Sequence, residues 1–205
     1  MPSTRPGEWG QKGGLFDDQG ICLACRNYEK RKDIDWDDRA RQLQELCNKY
    51  RRKDGYYDCL IPISGGKDSH YLVYVMKERL GMNPLLVNVS DPFTHTEAGI
   101  KNLKNISDTF NCDLIQFNIS VDLFRRAVRS NFEEFGHPLI LVEAAIYTVP
   151  VQVAINYRIP LLVQGENPNY EYGTSDIDTP SSLPHIKQIF NSVGISFWLN
   201  RGFQV

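Results

Sequence analysis

Short apolar runs alternate with amphipathic segments along the greater part of the chain. The run at 58–63 has no polar alternation, which indicates a strand that is covered on both faces. Runs of the same kind predict further strands at 84–89, 114–117 and 159–163. Between the strands, apolar residues recur every three or four positions and predict helices at 68–80, 96–110, 123–135 and 139–156, the last interrupted or kinked at Pro150.

This alternation predicts an α/β fold with a parallel sheet and right-handed crossovers, arranged in three layers as α/β/α. Ligands of such sheets bind at the carboxyl ends of the strands. The loops at 64–67 and 165–167 both contain glycine, and each directly follows a predicted strand. We therefore expect the two loops to lie at the ligand-binding edge of one sheet.

Residues 1–35 differ from the rest, because they are rich in glycine, poor in aliphatic residues and contain the pair Cys22 and Cys25. They predict a small loop-rich module, followed by a linking helix at 36–54 and the α/β domain at 55–205. The cysteine pair has the Cys-x-x-Cys spacing of zinc ligands, but one pair is half of a tetrahedral site. Two ordinary reduced thiols are the alternative.

The composition excludes several classes of protein. The chain has 205 residues, 41% of them hydrophobic, which is enough for one α/β core and a small appendage. A net charge of −2 provides no overall attraction to nucleic acid. No apolar run is long enough for a transmembrane helix, and the first residues do not resemble a signal peptide. The five cysteines, an odd number and mostly scattered, do not resemble a disulfide framework. These features predict a cytoplasmic protein.

The segment at 64–69, Ser-Gly-Gly-Lys-Asp-Ser, predicts a loop that binds pyrophosphate. Gly65 and Gly66 have no Cβ, so the backbone can bend sharply and approach an anion closely. The amides that follow are the first N–H groups of a helix, where the helix dipole favours negative charge. The two serines add hydroxyl donors, and Lys67 adds a mobile cation.

A purely structural role is the alternative for this segment. It can be a plain turn from strand to helix in which Asp68 or Ser69 caps the helix. If the segment does bind phosphate, an acidic residue such as Asp68 is unexpected there unless it orients a magnesium ion or caps the helix. The spacing differs from the Walker sequence Gly-x-x-x-x-Gly-Lys-Ser/Thr.

The hexapeptide resembles the PP-loop of the ATP pyrophosphatase superfamily, whose fold is that of the adenine nucleotide alpha hydrolases. The resemblance implies that ATP is cleaved between its α- and β-phosphates, with Lys67 and Asp68 as catalytic residues. It also implies that the backbone after the second strand receives adenine. The implied ATP contacts are Ser64, Gly65, Gly66, Lys67, Asp68, Ser69, Val89, Ser90 and Gly165.

Further motifs occur in a fixed order, at 16–25, 34–36, 63–69, 99–103, 165–167 and 171–173. Together they resemble the N-acetyl sugar amidotransferases of surface-polysaccharide and pseudaminic-acid biosynthesis, over roughly residues 2–175. The resemblance implies that an acetamido group is adenylated on oxygen and converted by ammonia into an acetamidino group. It further implies that Glu166 and Asn167 bind the sugar, Mg²⁺ or the α-phosphate. A helix cap or a turn is the alternative role for these two residues.

The same resemblance implies zinc at Cys22 and Cys25, completed in the family by a second Cys-x-x-Cys upstream of the equivalent of Met1. The family's chains also continue beyond the equivalent of Val205. A glutaminase needs a cysteine nucleophile on a tight turn, and Cys47, Cys59 and Cys112 all lack that setting. We therefore expect a separate glutaminase subunit to supply ammonia.

Two other functions compete with this interpretation. A tRNA-modifying PP-loop enzyme, of the thiolating or lysidine-forming type, would also adenylate a carbonyl. The net charge of −2 and the lack of a basic RNA-binding extension argue against it. A nucleotide-binding sensor on the same fold would bind ATP without turnover.

Overall fold

The computed structural model describes residues 16–93 and 96–166. Their contacts divide them into two compact units, one spanning Asp37–Gly165 and the other holding residues 16–36 and Glu166. The domain boundaries predicted from the sequence, at residues 35, 54 and 205, stay predictions. Each unit is described by itself below.

The smaller unit contains helix α1 (Leu23–Glu29) and a 3₁₀ turn (Lys30–Asp33). The Asp17 carboxylate accepts hydrogen bonds from the backbone N–H groups of Gln19 and Ile21, each at 2.9 Å. It also pairs with the Arg26 guanidinium at 2.6 Å. This one side chain therefore ties the turn before α1 to the helix itself.

The larger unit is built on three parallel strands, β1 (Cys59–Pro62), β2 (Pro84–Ser90) and β3 (Leu114–Asn118), in the order β1-β2-β3. In the register, Leu60 lies beside Leu85, and Leu86 lies beside Leu114. The helices of this unit are α2 (Trp36–Tyr50, whose first residue belongs to the other unit), α3 (Lys67–Tyr74), α4 (Glu97–Phe110), α5 (Val121–Phe135) and α6 (Ile140–Asn156). None of the described helices is long and apolar enough to cross a membrane.

Helices cover both faces of the sheet. On one face, Ile61 and Leu86 are buried in a cluster with residues of α2, α3 and α4 such as Cys47, Val73 and Leu103. On the other face, Leu60, Leu85 and Val87 pack with Ala154 of α6, and Phe124 of α5 packs with Ala145 of α6. The predicted α/β fold, a parallel sheet between two helical layers, is confirmed.

The predicted fourth strand at 159–163 is shorter than expected. Leu162 forms a single parallel bridge with Leu60, on the side of β1 away from β2. The Leu60 N–H donates to the Leu161 carbonyl at 2.8 Å, and the Val163 N–H donates to the Leu60 carbonyl at 2.9 Å. The Ile159 N–H instead donates to Ala154 at the end of α6, so residue 159 still belongs to the helix terminus.

Two predicted helices also differ from expectation. Helix α6 runs through Pro150 without interruption, because burial of Pro150 and of its neighbours against the sheet compensates for one missing hydrogen bond. The helix predicted at 68–80 widens after Tyr74 into a π-helical turn, Val75–Arg79. In that turn the Leu80 N–H donates to the Val75 carbonyl at 2.9 Å.

A buried carboxylate anchors the amino-terminal edge of the sheet. Asp58 is 3% exposed and directly precedes β1. Its carboxylate accepts hydrogen bonds from the backbone N–H of Arg52, after α2, and from that of Asn83, before β2, the latter at 2.7 Å. One side chain thus fixes the positions of two connections relative to the first strand.

We expect Asp58→Asn to lower the free energy of unfolding by about 1–3 kcal/mol, because the new amide N–H₂ would face a backbone N–H. Urea denaturation followed by circular dichroism measures the change, at an unchanged dependence on urea. Asp54→Asn is the matched control, since this exposed carboxylate also accepts a backbone N–H, that of Tyr56. Equal losses in the two variants would contradict the assigned role of Asp58.

Candidate functional site

The segment at 64–69 lies where the order of the sheet reverses. From β1 the chain proceeds through α3 to β2 and through α4 to β3, on one side of β1. It then returns through α5 and α6, on the opposite face, to pair residues 161–163 with the other side of β1. The carboxyl end of β1 is therefore the topological switch point, where open α/β sheets leave a crevice for ligands.

Gly65 brings the loop into close contact with α4. Its φ of +83° lies in the left-handed region, and a Cβ at this position would lie 3.1 Å from Leu103 Cγ and 3.2 Å from the Gly99 carbonyl oxygen. A side chain would therefore be disfavoured both by the backbone conformation and by the backbone of α4. Thr96 caps that helix by accepting the Gly99 N–H at 3.1 Å.

The two serines hold the loop in shape. The Ser64 N–H donates to Ser69 Oγ at 3.0 Å, and the two hydroxyl oxygens lie 3.2 Å apart. The Gly66 N–H makes a longer bond, 3.4 Å, to Ser64 Oγ. Ser69 is 9% exposed, so its hydroxyl acts mainly within the loop.

Helix α3 begins directly after the loop, with Gly66 as its N-cap. The first N–H groups of a helix have no intrahelical acceptor, and the helix dipole places partial positive charge there. Lys67 Nζ lies 2.8 Å from the Asp68 carboxylate, but both side chains are largely exposed, 89% and 79%. Such an exposed pair is worth little, so Lys67 is able to leave it for a phosphate.

The end of β2 forms the neighbouring part of the crevice. In a parallel strand, successive backbone groups point alternately to the two neighbouring strands. Leu86 N–H and Ser90 C=O bond to the β3 side, whereas Val87 C=O accepts Ile63 N–H from the β1 side. Val89 therefore directs its N–H and C=O towards the β1 side, just where β1 has turned into the loop.

Two buried polar residues near Val89 were not predicted from the sequence. Asn88 is 2% exposed, and its amide contacts the Ile63 carbonyl and the Ser90 hydroxyl. Asp91 is 6% exposed and accepts the Phe93 N–H at 2.8 Å. The sequence offered a signal for both: Asn88 is a polar residue inside an apolar run, and Asp91 is an acidic residue directly after the strand.

The other predicted site residues are placed only in part. Gly165 packs on α3, since a Cβ there would lie 3.2 Å from Leu72 Cδ2. Glu166 is assigned to the smaller unit, and Asn167 lies outside the described residues. The roles predicted for Glu166 and Asn167 therefore stay predictions.

Cys22 and Cys25 lie next to each other at the start of α1. A hydrogen bond from the Cys25 N–H, with a further one from the Cys25 thiol, lowers the pKa of Cys22, and the same thiol contact raises the pKa of Cys25. Residues 16–93 and 96–166 contain no group of three or more metal-ligating side chains. Taken alone, they supply half of a tetrahedral zinc site and do not fit the ion.

The other three cysteines belong to the core. Cys47, Cys59 and Cys112 are buried in the same cluster, on the face that carries α2, α3 and α4. Burial raises the pKa of Cys59 to about 12 and also raises the pKa of Cys47 and Cys112. A thiol of this kind is protonated at neutral pH and inaccessible, so none of the three has the setting of a catalytic nucleophile.

No protein-family model matches the chain. An uncharacterised protein of Methanocaldococcus jannaschii is 30% identical over 152 residues, which are 70% of this chain and 52% of that protein. The chain therefore spans about half the length of the curated relative that it matches.

Several solved structures are similar to the chain. The NH₃-dependent NAD synthetase of Campylobacter jejuni has a TM-score of 0.49 and 11% identity, over 84% of this chain and 80% of that one. The NMN synthetase of Francisella tularensis has a TM-score of 0.46 and 13% identity, over 66% and 56% of the two chains. The U34-tRNA thiolase of Methanococcus maripaludis has a TM-score of 0.40 and 14% identity, over 77% and 51%. Similarities this low carry no argument about activity.

We expect Gly65→Ala to lower the free energy of unfolding by about 2–4 kcal/mol, through left-handed strain and overpacking against α4. Gly136→Ala is the matched control, because Gly136 also has a positive φ, +63°, but a Cβ there would meet no atom within 4 Å. Strain alone predicts a loss of about 1–2 kcal/mol there. Equal losses in urea denaturation would show that the close approach at Gly65 is not restrictive.

A second prediction concerns the thiols. After treatment with a chelator, iodoacetamide at about pH 8 should alkylate Cys22 and Cys25 well before the other three thiols, because both are accessible and the pKa of Cys22 is lowered. Cys47, Cys59 and Cys112 should react only after unfolding, because burial raises each pKa and so lowers the thiolate fraction. Mass spectrometry of the labelled peptides identifies the sites, and fast labelling of Cys59 in the folded chain would contradict the assigned packing.

Proposed function

We propose that this protein is an ATP-dependent amidotransferase that converts an acetamido group of an N-acetylated sugar into an acetamidino group. The observation that carries the proposal is the loop at 64–69, held at the topological switch point between a buried strand and a helix N-terminus. ATP cleavage between the α- and β-phosphates is the chemistry that such a loop fits best.

In the proposed reaction, the loop binds the β- and γ-phosphates, which leave together as pyrophosphate. The backbone amides at the start of α3 face the growing negative charge, and Lys67 moves from Asp68 to the departing phosphates. The hydrogen bonds between Ser64 and Ser69 hold the amides in place beforehand, so little reorganisation is needed as charge develops.

The chemical steps balance without any oxidant or reductant. The oxygen of the acetamido carbonyl bonds to the α-phosphorus of ATP, and the bond between that phosphorus and the bridging oxygen breaks. Ammonia then adds to the activated carbon, and AMP leaves with the former carbonyl oxygen. The products are an acetamidino sugar, AMP and pyrophosphate.

The sugar substrate rests on the order of the motifs rather than on the loop. Gly99 occurs in one of them, and its carbonyl oxygen lies close to the loop, 3.2 Å from where a Cβ at Gly65 would be. Gly165 occurs in another of these motifs and packs on α3, the helix that directly follows the loop. These two contacts support the proposal that the separate motifs serve one site.

Magnesium is the metal proposed for this site. Bound to ATP, it would neutralise phosphate charge and help to orient the α-phosphate. Asp68 fits this role, because its exposed carboxylate is an oxygen ligand directly beside the loop. Glu166 and Asn167 remain proposed ligands of the metal or the sugar. Zinc at Cys22 and Cys25 is proposed only together with further ligands, which the described residues do not provide.

The proposed source of ammonia is a glutaminase subunit. Cys47, Cys59 and Cys112 are buried, with raised pKa values, and do not suit nucleophilic attack on glutamine. This arrangement supports delivery of ammonia by a partner. Turnover should then proceed with ammonium ions and not with glutamine alone.

We expect the chain to bind Mg·ATP and to release pyrophosphate when an acetamido sugar and ammonium are added. A panel of acetamido sugars, monitored by a coupled pyrophosphate assay, tests this, and mass spectrometry should find a product lighter by about one mass unit. Lys67→Ala should reduce the rate on the order of a hundredfold. Lys104→Ala is the matched control, because this exposed lysine also pairs with a neighbouring aspartate, Asp108, on α4.

Other outcomes separate the alternatives. ATP binding without pyrophosphate release under any condition would favour a nucleotide-binding protein without catalytic activity. Pyrophosphate release that depends on tRNA would favour a tRNA-modifying enzyme. Failure to bind ATP would contradict the proposed function as a whole.

A further inference from the structure

Asn88 is a polar residue in the middle of an apolar parallel strand. It is 2% exposed, and its neighbours Val87 and Val89 face the opposite side of the sheet. A buried amide in such a place is costly unless both its donor and its acceptor are satisfied. The position of Asn88 therefore calls for a specific reason.

Both ends of the Asn88 amide are engaged. Nδ2 donates to the Ile63 carbonyl oxygen at 2.8 Å, and Oδ1 accepts from the Ser90 hydroxyl at 2.6 Å. Ser90 is itself 7% exposed. Because the Ile63 carbonyl can only accept, these contacts fix which end of the amide faces the first strand.

The contact with Ile63 replaces a bond of the sheet. The Ile63 N–H donates to the Val87 carbonyl at 2.8 Å, which is the last ladder bond between the two strands. In a regular parallel ladder the next bond would join the Val89 N–H to the Ile63 carbonyl. Here the side chain of Asn88 occupies that carbonyl instead.

Because the Asn88 side chain replaces a backbone donor at the Ile63 carbonyl, the two strands can separate without leaving that carbonyl unsatisfied. Ser64 can then turn into the loop, and the Val89 backbone faces the opening. We propose that Asn88 is a positioning residue that opens the sheet at its carboxyl edge, so that the loop meets the phosphates of ATP while Val89 meets the adenine. The inference rests on the proposed function and names residues beyond the loop on which that function depends.

The proposal assigns supporting roles to two neighbours. Ser90 orients the amide of Asn88 by donating to its oxygen, so its hydroxyl serves the amide rather than the nucleotide. Val89 would meet the nucleotide through its backbone groups, while its side chain packs on the opposite face of the sheet. Ser90→Ala should therefore weaken ATP binding less than any change that removes the Asn88 donor.

The test compares Asn88→Leu, which keeps the approximate shape and removes both hydrogen bonds, with the natural chain. We expect the Kd for Mg·ATP, measured by isothermal titration calorimetry, to rise about tenfold or more. Pyrophosphate and AMP should each bind more weakly as well, because the change would displace both the loop at 64–69 and the Val89 backbone. Met82→Ala is the control for lost stability, since Met82 is 1% exposed and lies before β2, at the opposite edge of the sheet.

Hydrogen exchange of single amides, measured by NMR, gives a readout that a merely structural role would not change. In the ligand-free natural chain, the Val89 amide should exchange much faster than the neighbouring ladder amide of Val87, and Mg·ATP should protect it. In Asn88→Leu, the Val89 amide should gain protection without ATP, because it can recover the Ile63 carbonyl.

An Asn88→Leu chain that remains folded and binds Mg·ATP as tightly as the natural chain would overturn this inference and leave the proposed function intact. Equal protection of Val87 and Val89 in the ligand-free natural chain would also overturn it. If the natural chain does not bind ATP at all, the proposed function fails, and the role of Asn88 in ATP binding fails with it.

Discussion

The candidate site depends on one steric constraint, the close approach of Gly65 to helix α4. The loop passes close to Gly99 and Leu103, where a Cβ at position 65 would be tightly packed, and position 65 adopts a positive φ that disfavours a side chain. This contact places the end of β1, the start of α3 and the start of α4 within one small region. The amides of α3 then face the crevice, and the Ser64–Ser69 hydrogen bonds hold them there. Without this close approach, the same hexapeptide would form a turn, but nothing would fix the orientation of its amides towards the crevice.

The elements of the fold could be predicted largely because local patterns determine them. β1 and β2 are buried apolar runs, whereas β3 is partly exposed. Helices α4 and α5 end at Asn111 and Gly136, which adopt the left-handed conformation. The fourth strand was overestimated, because the run at 159–163 does not reveal that the Ile159 N–H belongs to the end of α6. One long helix was predicted at 139–156, but the possible interruption at Pro150 does not occur, because the continuity of α6 depends on packing against the sheet rather than on local sequence.

The candidate site was predictable only where it is contiguous in sequence. Glycines, a lysine and two serines in one short segment indicate a phosphate loop directly. Asn88 could not be assigned in this way, since its role depends on the register between two strands and on the carbonyl that it meets. Asp91 presents the same difficulty, because its burial results from the turn that follows β2. The hydroxyls of Ser64 and Ser69 were expected to face a ligand, and their contacts with each other appear only in three dimensions.

The single bridge between Leu60 and Leu162 has a consequence for how the protein forms during synthesis. It joins residues separated by on the order of 100 positions, whereas β1, β2 and β3 pair with strands that follow at short intervals. The ribosome releases the three adjacent strands first, and they can pair before residues 161–163 have been made. Among the strands formed by residues 16–93 and 96–166, the edge of the crevice next to Gly165 is therefore the last to assemble. A nascent chain would form the loop at 64–69 well before the crevice is closed on both sides.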